Sequence, residues 1–127
     1  MINLRSSELV NNLGDFTFHI LGCGAIGSSA ALQIARMGAE NFCLYDMDKV
    51  EEPNVGVSQY TYSDIGKPKV QALNSHLESL GVSSVSKYHE RFSEYYPQGE
   101  RDIAILGFDS MASRLQAVEA QEDLVFR

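Results

Sequence analysis

The chain has 127 residues, 44% of them hydrophobic and 21% charged, which is the size and balance of one globular domain with a single core; disorder, collagen and coiled coil do not fit. Ten basic against seventeen acidic side chains leave a net charge of −7, the opposite of the basic footprint that a phosphate backbone selects, so nucleic-acid binding is disfavoured. Apolar runs are short, residues 1–8 lack a signal-peptide pattern, and Cys23 and Cys43 form no Cys-x-x-Cys pair, so the expectation is a protein of the reducing cytoplasm with no membrane partner.

Phe16, Phe18, Ile20 and Leu21 make residues 16–21 a β-favouring run that reads as a buried strand and ends in Gly22, Gly24 and Gly27. Residues 25–37 mix the small Ser28, Ser29, Ala30 and Ala31 with Leu32, Ile34 and Ala35, a pattern that lets a helix lie close on a sheet, and Gly38 closes it. Residues 41–46 read as a second strand. The polar stretch that follows through Gly66 is long for a simple connection, and such loops in compact domains are mostly functional, so it is expected to face a ligand. A helix opens at residues 67–69 with Pro68 in its first turn, carries Val70, Leu73, Leu77 and Leu80 on one stripe, and stops at Gly81. Residues 82–88 form a weak strand candidate and 102–107 a stronger one. A further helix is expected over 109–121, and an apolar run begins at 123. Strands alternating with helices predict an α/β, Rossmann-like doubly wound sheet, mostly parallel, with helices on both faces and its site at the carboxyl ends of the strands.

Gly22-x-Gly24-x-x-Gly27, placed between a strand and a helix, allows a tight turn, close approach of a ligand to the backbone and close packing of the helix on its strand. The helix N-terminus behind it, beginning at Ala25, offers N–H groups and partial positive charge to an anion, and a nucleotide is the natural guest. A glycine turn serving packing alone is the competing reading. Asp46 ends the next strand, where a carboxylate can accept hydrogen bonds from ribose hydroxyls; this fits NAD as well as ATP. Lys67 and Lys69 bring local positive charge to an acidic chain, and positive charge in a first helical turn opposes the helix dipole, which favours an anionic partner. Solvated helix-start lysines are the plain alternative. His19, His76 and His89 share no metal-like spacing, Cys23 and Cys43 read as packing residues, and Tyr60, Tyr62 and Tyr88 are explained by amphipathic packing or a partner groove.

The run Asp46-Met47-Asp48-Lys49-Val50-Glu51-Glu52-Pro53-Asn54, then Gln59, then Asp64-Ile65-Gly66-Lys67-Pro68-Lys69 resembles the ThiF/MoeB superfamily of ubiquitin-activating-enzyme-like adenylating domains. The resemblance spans about residues 16–114 and implies one nucleotide-binding domain over 1–127, an incomplete domain of that type. It also implies ATP and Mg²⁺ as cofactors, with the glycine loop, Ala25, Asp46, Asp48, Asn54, Gln59, Lys67, Lys69 and Ser110 on the nucleotide. Lys69 and Asp109 are then the catalytic pair, and Asp109 the magnesium ligand. The implied reaction is attack of a carboxylate on the α-phosphorus of ATP, giving an acyl adenylate and pyrophosphate. The implied partner is the C-terminus of a ubiquitin-like or sulfur-carrier protein, or a peptide, met by a homodimer. Where the family carries Asn-x-x-Arg-Gln, this chain reads Asn54-Val55-Gly56-Val57-Ser58-Gln59, with Gly56 or Val57 in the arginine's place. That leaves two alternatives in play, a non-catalytic nucleotide-binding or dimerisation module of the same family and an NAD-dependent oxidoreductase fragment.

Overall fold

The computed structural model describes residues 12–90 and 99–107. A short 3₁₀ turn at Leu13–Asp15 leads into strand β1, Thr17–Leu21; helix α1 spans Ala25–Arg36, β2 Asn41–Tyr45, α2 Lys69–Ser79, β3 Ser84–Tyr88 and β4 Asp102–Leu106. All neighbouring strands pair in parallel, in the order β3-β2-β1-β4, with His19 level with Cys43 on one side and Ala104 on the other. The α/β Rossmann-like architecture expected from the alternating pattern is the one observed.

Alternation along the strands sorts the side chains by face. Phe18 and Ile20 of β1 and Phe42 and Leu44 of β2 are buried, and they share one core with Ala31, Leu32 and Ala35 of α1 and Val70, Leu73 and Leu77 of α2. Both described helices therefore cover the same face, as successive right-handed crossovers in one direction require. Each large apolar side chain so buried contributes about 1.5–3 kcal/mol against the ordering cost of the chain. The helix expected over residues 109–121 lies outside the described residues, as does the apolar run from 123.

Helix ends follow local chemistry. Gly38 follows α1 with φ of 118° and its N–H donates to the Ala35 carbonyl, so the stop sits where the sequence put it. The start of α2 needs a correction. Pro68 is not in the first turn but caps it with extended backbone, φ −54° and ψ 137°, and Lys67 lies before the helix. The reason is a short ladder: Val50 N–H donates to Lys67 O, Gly66 N–H to Val50 O, and Lys69 N–H to Asp48 O, each at 2.8–2.9 Å. This antiparallel pairing, with a bridge between Lys49 and Pro68, holds Pro68 out of the helix, which begins at Lys69.

Candidate functional site

Strands β1, β2 and β3 step one way across the sheet, while β4 lies on the other side of β1. The reversal places a switch point between β1 and β4, and in open α/β sheets ligands bind beyond the carboxyl ends of the strands at such a point. Gly22 leaves β1 with φ of 102°, its N–H bound to the Tyr45 carbonyl at 2.9 Å. Gly24 caps α1, its carbonyl accepting the Ser28 N–H at 2.9 Å. The N–H groups of the turn between have no intrahelical acceptor, and that turn holds no acidic side chain to answer the dipole.

Packing explains Gly27 and exposes a fourth glycine. A Cβ on Gly27 would stand 1.9 Å from the Gly22 carbonyl oxygen, and one on Gly107 would stand 2.4 Å from the same atom and 2.8 Å from the Gly27 Cα. The first residue after β4 thus closes on the loop after β1, with its own N–H bonded to Leu21 O at 2.8 Å. In the sequence Gly107 only ends an apolar run; nothing local announces whom it meets.

Asp46 follows β2 with its carboxylate turned to the glycine loop, Oδ2 accepting the Cys23 N–H and Oδ1 the Asp48 N–H, both at 2.8 Å. Burial raises its pKa above the usual carboxylate range, against the pull of those two bonds and of the Lys69 charge. Lys69 begins α2 and is only 6% exposed. Its charge acts on both Asp46 and Cys23, so it lies on the glycine-loop side of the sheet, and among the described residues no carboxylate stands within 4.0 Å of it as a salt-bridge partner. A cation held on that side of the sheet favours an anion at the glycine loop.

The remaining expected site residues are placed less tightly. Ala25 opens α1 beside the loop, Asp48 is exposed, and Lys67 and Gln59 are exposed. Asn54 is engaged locally: its Oδ1 accepts the Glu51 N–H at 2.7 Å in a capping box around the 3₁₀ turn Glu52–Asn54. Asp109 and Ser110 lie outside the described residues. Among the described residues no group of three His, Cys, Asp or Glu side chains is arranged to hold a metal. Cys23 is fully buried in the loop, and burial first, then the Asp46 charge, pushes its thiol far up, which makes it a packing residue.

Two residues matter more here than their sequence context suggests. Tyr60, 3% exposed, donates its hydroxyl proton to the Cys23 carbonyl of the glycine loop. Asp64, buried, accepts the Thr61 N–H at 2.8 Å and stands 2.8 Å from His76 Nε2 on α2, so the segment before Lys69 is pinned to the helix it precedes.

An all-parallel sheet among the described strands, with a glycine turn at its switch point, a strand-end carboxylate and a buried lysine, defines an α/β Rossmann-like domain. Residues 1–121 match the ThiF family, and the chain belongs to that family. It is 26% identical to ubiquitin-like modifier-activating enzyme 5 of Branchiostoma floridae, over 91% of this chain and 33% of that protein. It is 32% identical to tRNA threonylcarbamoyladenosine dehydratase of Bacillus subtilis, over 88% of this chain and 46% of the relative. Among solved structures, E. coli MccB superposes with a TM-score of 0.72 at 25% identity, covering 82% of this chain and 31% of MccB. The crystal structure of MccB with ATP gives 0.63 at 27%, covering 68% and 27%. The chain therefore spans less than half the length of these relatives.

Proposed function

We propose that this chain is the nucleotide-binding part of an adenylating protein: it takes ATP at the glycine loop and presents the α-phosphorus to a carboxylate. The observation that carries this reading is Lys69, buried beside the glycine turn and Asp46 and, among the described residues, with no carboxylate within 4.0 Å. The first turn of α1 receives phosphate oxygens, Lys69 answers their charge, and Asp46 accepts from the ribose. A carboxylate oxygen attacks the α-phosphorus, a new O–P bond forms, the bond to the bridging oxygen breaks, and pyrophosphate leaves. Positioning and charge neutralisation, rather than a general base, supply the catalysis.

Magnesium bound with the triphosphate neutralises phosphate charge. Asp109, a carboxylate two residues beyond Gly107, is the oxygen donor assigned to it, in keeping with its preference for oxygen ligands, and Ser110 beside it is assigned to the nucleotide. Asn54, Gln59, Asp48 and Lys67 are assigned to the outer part of the same site. The acceptor we assign is the C-terminal carboxylate of a ubiquitin-like or sulfur-carrier protein or of a peptide, met by a homodimer in the cytoplasm. Ubiquitin-like modifier-activating enzyme 5 and the MccB complex with ATP support the reading through what their names say they act on or bind.

Calorimetry with Mg·ATP and with NAD tests the first step, and carrier-dependent exchange of pyrophosphate into ATP tests the second. ATP binding with exchange is expected. Binding of NAD but not ATP overturns the proposal. ATP binding without exchange supports a second reading, a non-catalytic nucleotide-binding module, which Gly56 and Val57 in the place of the family's arginine favour.

A further inference from the structure

The two halves of the proposed phosphate cradle belong to different parts of the chain. The glycine loop follows β1, whereas Lys69 opens α2, and a phosphate held between them requires a fixed distance. Tyr60 stands where that distance is set. Its hydroxyl gives its one proton to the Cys23 carbonyl of the loop, and the same oxygen lies 3.4 Å from the Lys69 carbonyl. One phenol thus touches the backbone of both halves. The ring is held from behind, packing at 6.5 Å between centroids on His76 of α2, which itself is bonded to Asp64. Burial, then the charges around Cys23, Asp46 and Asp64, raise the phenol's pKa, so it stays a donor throughout the working range.

We infer that Tyr60 is a positioning residue, whose hydroxyl bond to the Cys23 carbonyl and ring packing on His76 tie the glycine loop to α2 and so set the spacing between the loop N–H groups and Lys69. The inference rests on the nucleotide reading and deepens it, since a gap of one ångström between cradle halves is enough to weaken a contact with phosphate strongly. It also says why a large aromatic side chain is buried in an otherwise polar segment: the ring carries the hydroxyl across the gap.

The experiment compares Mg·ATP affinity of the full chain with that of Tyr60→Phe, Lys69→Met and the double variant, together with amide exchange of each. A tenfold weaker affinity is expected for Tyr60→Phe, with little further loss when it is added to Lys69→Met, because two residues serving one contact do not add. Faster exchange is expected at residues 22–27 and 69–72 and not across the sheet. Unchanged affinity and exchange in Tyr60→Phe, with ATP still bound by the parent chain, overturns the inference and leaves the nucleotide reading intact. Additive losses in the double variant overturn it as well. If the parent chain binds no ATP, the nucleotide reading fails, and exchange alone decides: a local change keeps the tie, a uniform or absent one removes it. Should Tyr60→Phe not fold, 3-fluorotyrosine at position 60 reports instead; a fluorine shift on adding Mg·ATP supports the tie and an unmoved resonance overturns it.

Discussion

At position 27 there is room for a hydrogen atom and little else. The backbone there is helical, so alanine would be favoured by propensity, by about 1 kcal/mol. Against this, its Cβ would stand 1.9 Å from the Gly22 carbonyl, a backbone atom that cannot rotate away. Overpacking of this kind costs about 1–3 kcal/mol or more and wins. Gly27→Ala is therefore expected to lower the urea midpoint and to weaken nucleotide binding by spreading the turn, both read on the same sample. Lys69 presents the opposite balance. Removing its charge while keeping an unbranched stem preserves the packing, so Lys69→Met is expected to melt at about the same temperature while losing tenfold or more in Mg·ATP affinity, about 1.4 kcal/mol per decade. A loss of melting temperature with unchanged affinity would contradict that assignment.

The segment between β2 and α2 behaves as an element although little of it is regular. It is stitched at three points: the ladder of Val50 with Gly66 and Lys67, the capping box of Glu51 with Asn54, and Asp64 with Thr61 and His76. Asp64 gives this element a pH signature. Burial pushes its carboxyl up, yet the Thr61 N–H and His76 outweigh burial and hold it below the usual carboxylate range. The folded form thus binds its proton more weakly than the unfolded form. Its stabilisation is complete above an unfolded pKa of about 4 and is lost as pH falls through the depressed folded value. Thermal melts of the parent and of His76→Gln should show the acid limb moving to higher pH in the variant; coincident limbs would remove His76 from that role.

Across the whole molecule a second titration is built into the sheet. His19 of β1 sits 3.0 Å from Asp102 of β4 and its ring lies along Tyr45, which in turn stacks on Tyr88 at 4.7 Å, so one row of side chains crosses all four strands on the face away from α1 and α2. Burial lowers the His19 pKa and outweighs the opposing pull of Asp102. The unfolded chain consequently binds the proton more tightly, and stability is full above an unfolded pKa of about 6.5 and falls as pH drops through the lowered folded value. Denaturant midpoints measured from pH 7 to pH 5 should decline in the parent and decline less in His19→Phe, a window well separated from that of Asp64.

The strand–helix alternation, the glycine turn and the Asp46 and Lys69 positions were legible from the amino acids because each depends on short-range periodicity or on a motif whose spacing is set by local backbone geometry. The start of α2 was misplaced by the local rule for Pro68, since a ladder with residues 48–50, distant in sequence, held Pro68 out of the helix. The capping box that Asn54 makes around its own turn with Glu51 is not legible either, since it depends on which hydrogen bond wins nearby. Gly107 and Tyr60 were decided by tertiary structure alone. Their partners, Gly22, Gly27 and Cys23, are brought to them only when β4 lands beside β1 and the long segment folds over the loop, and no one-dimensional pattern encodes a contact between residues that far apart.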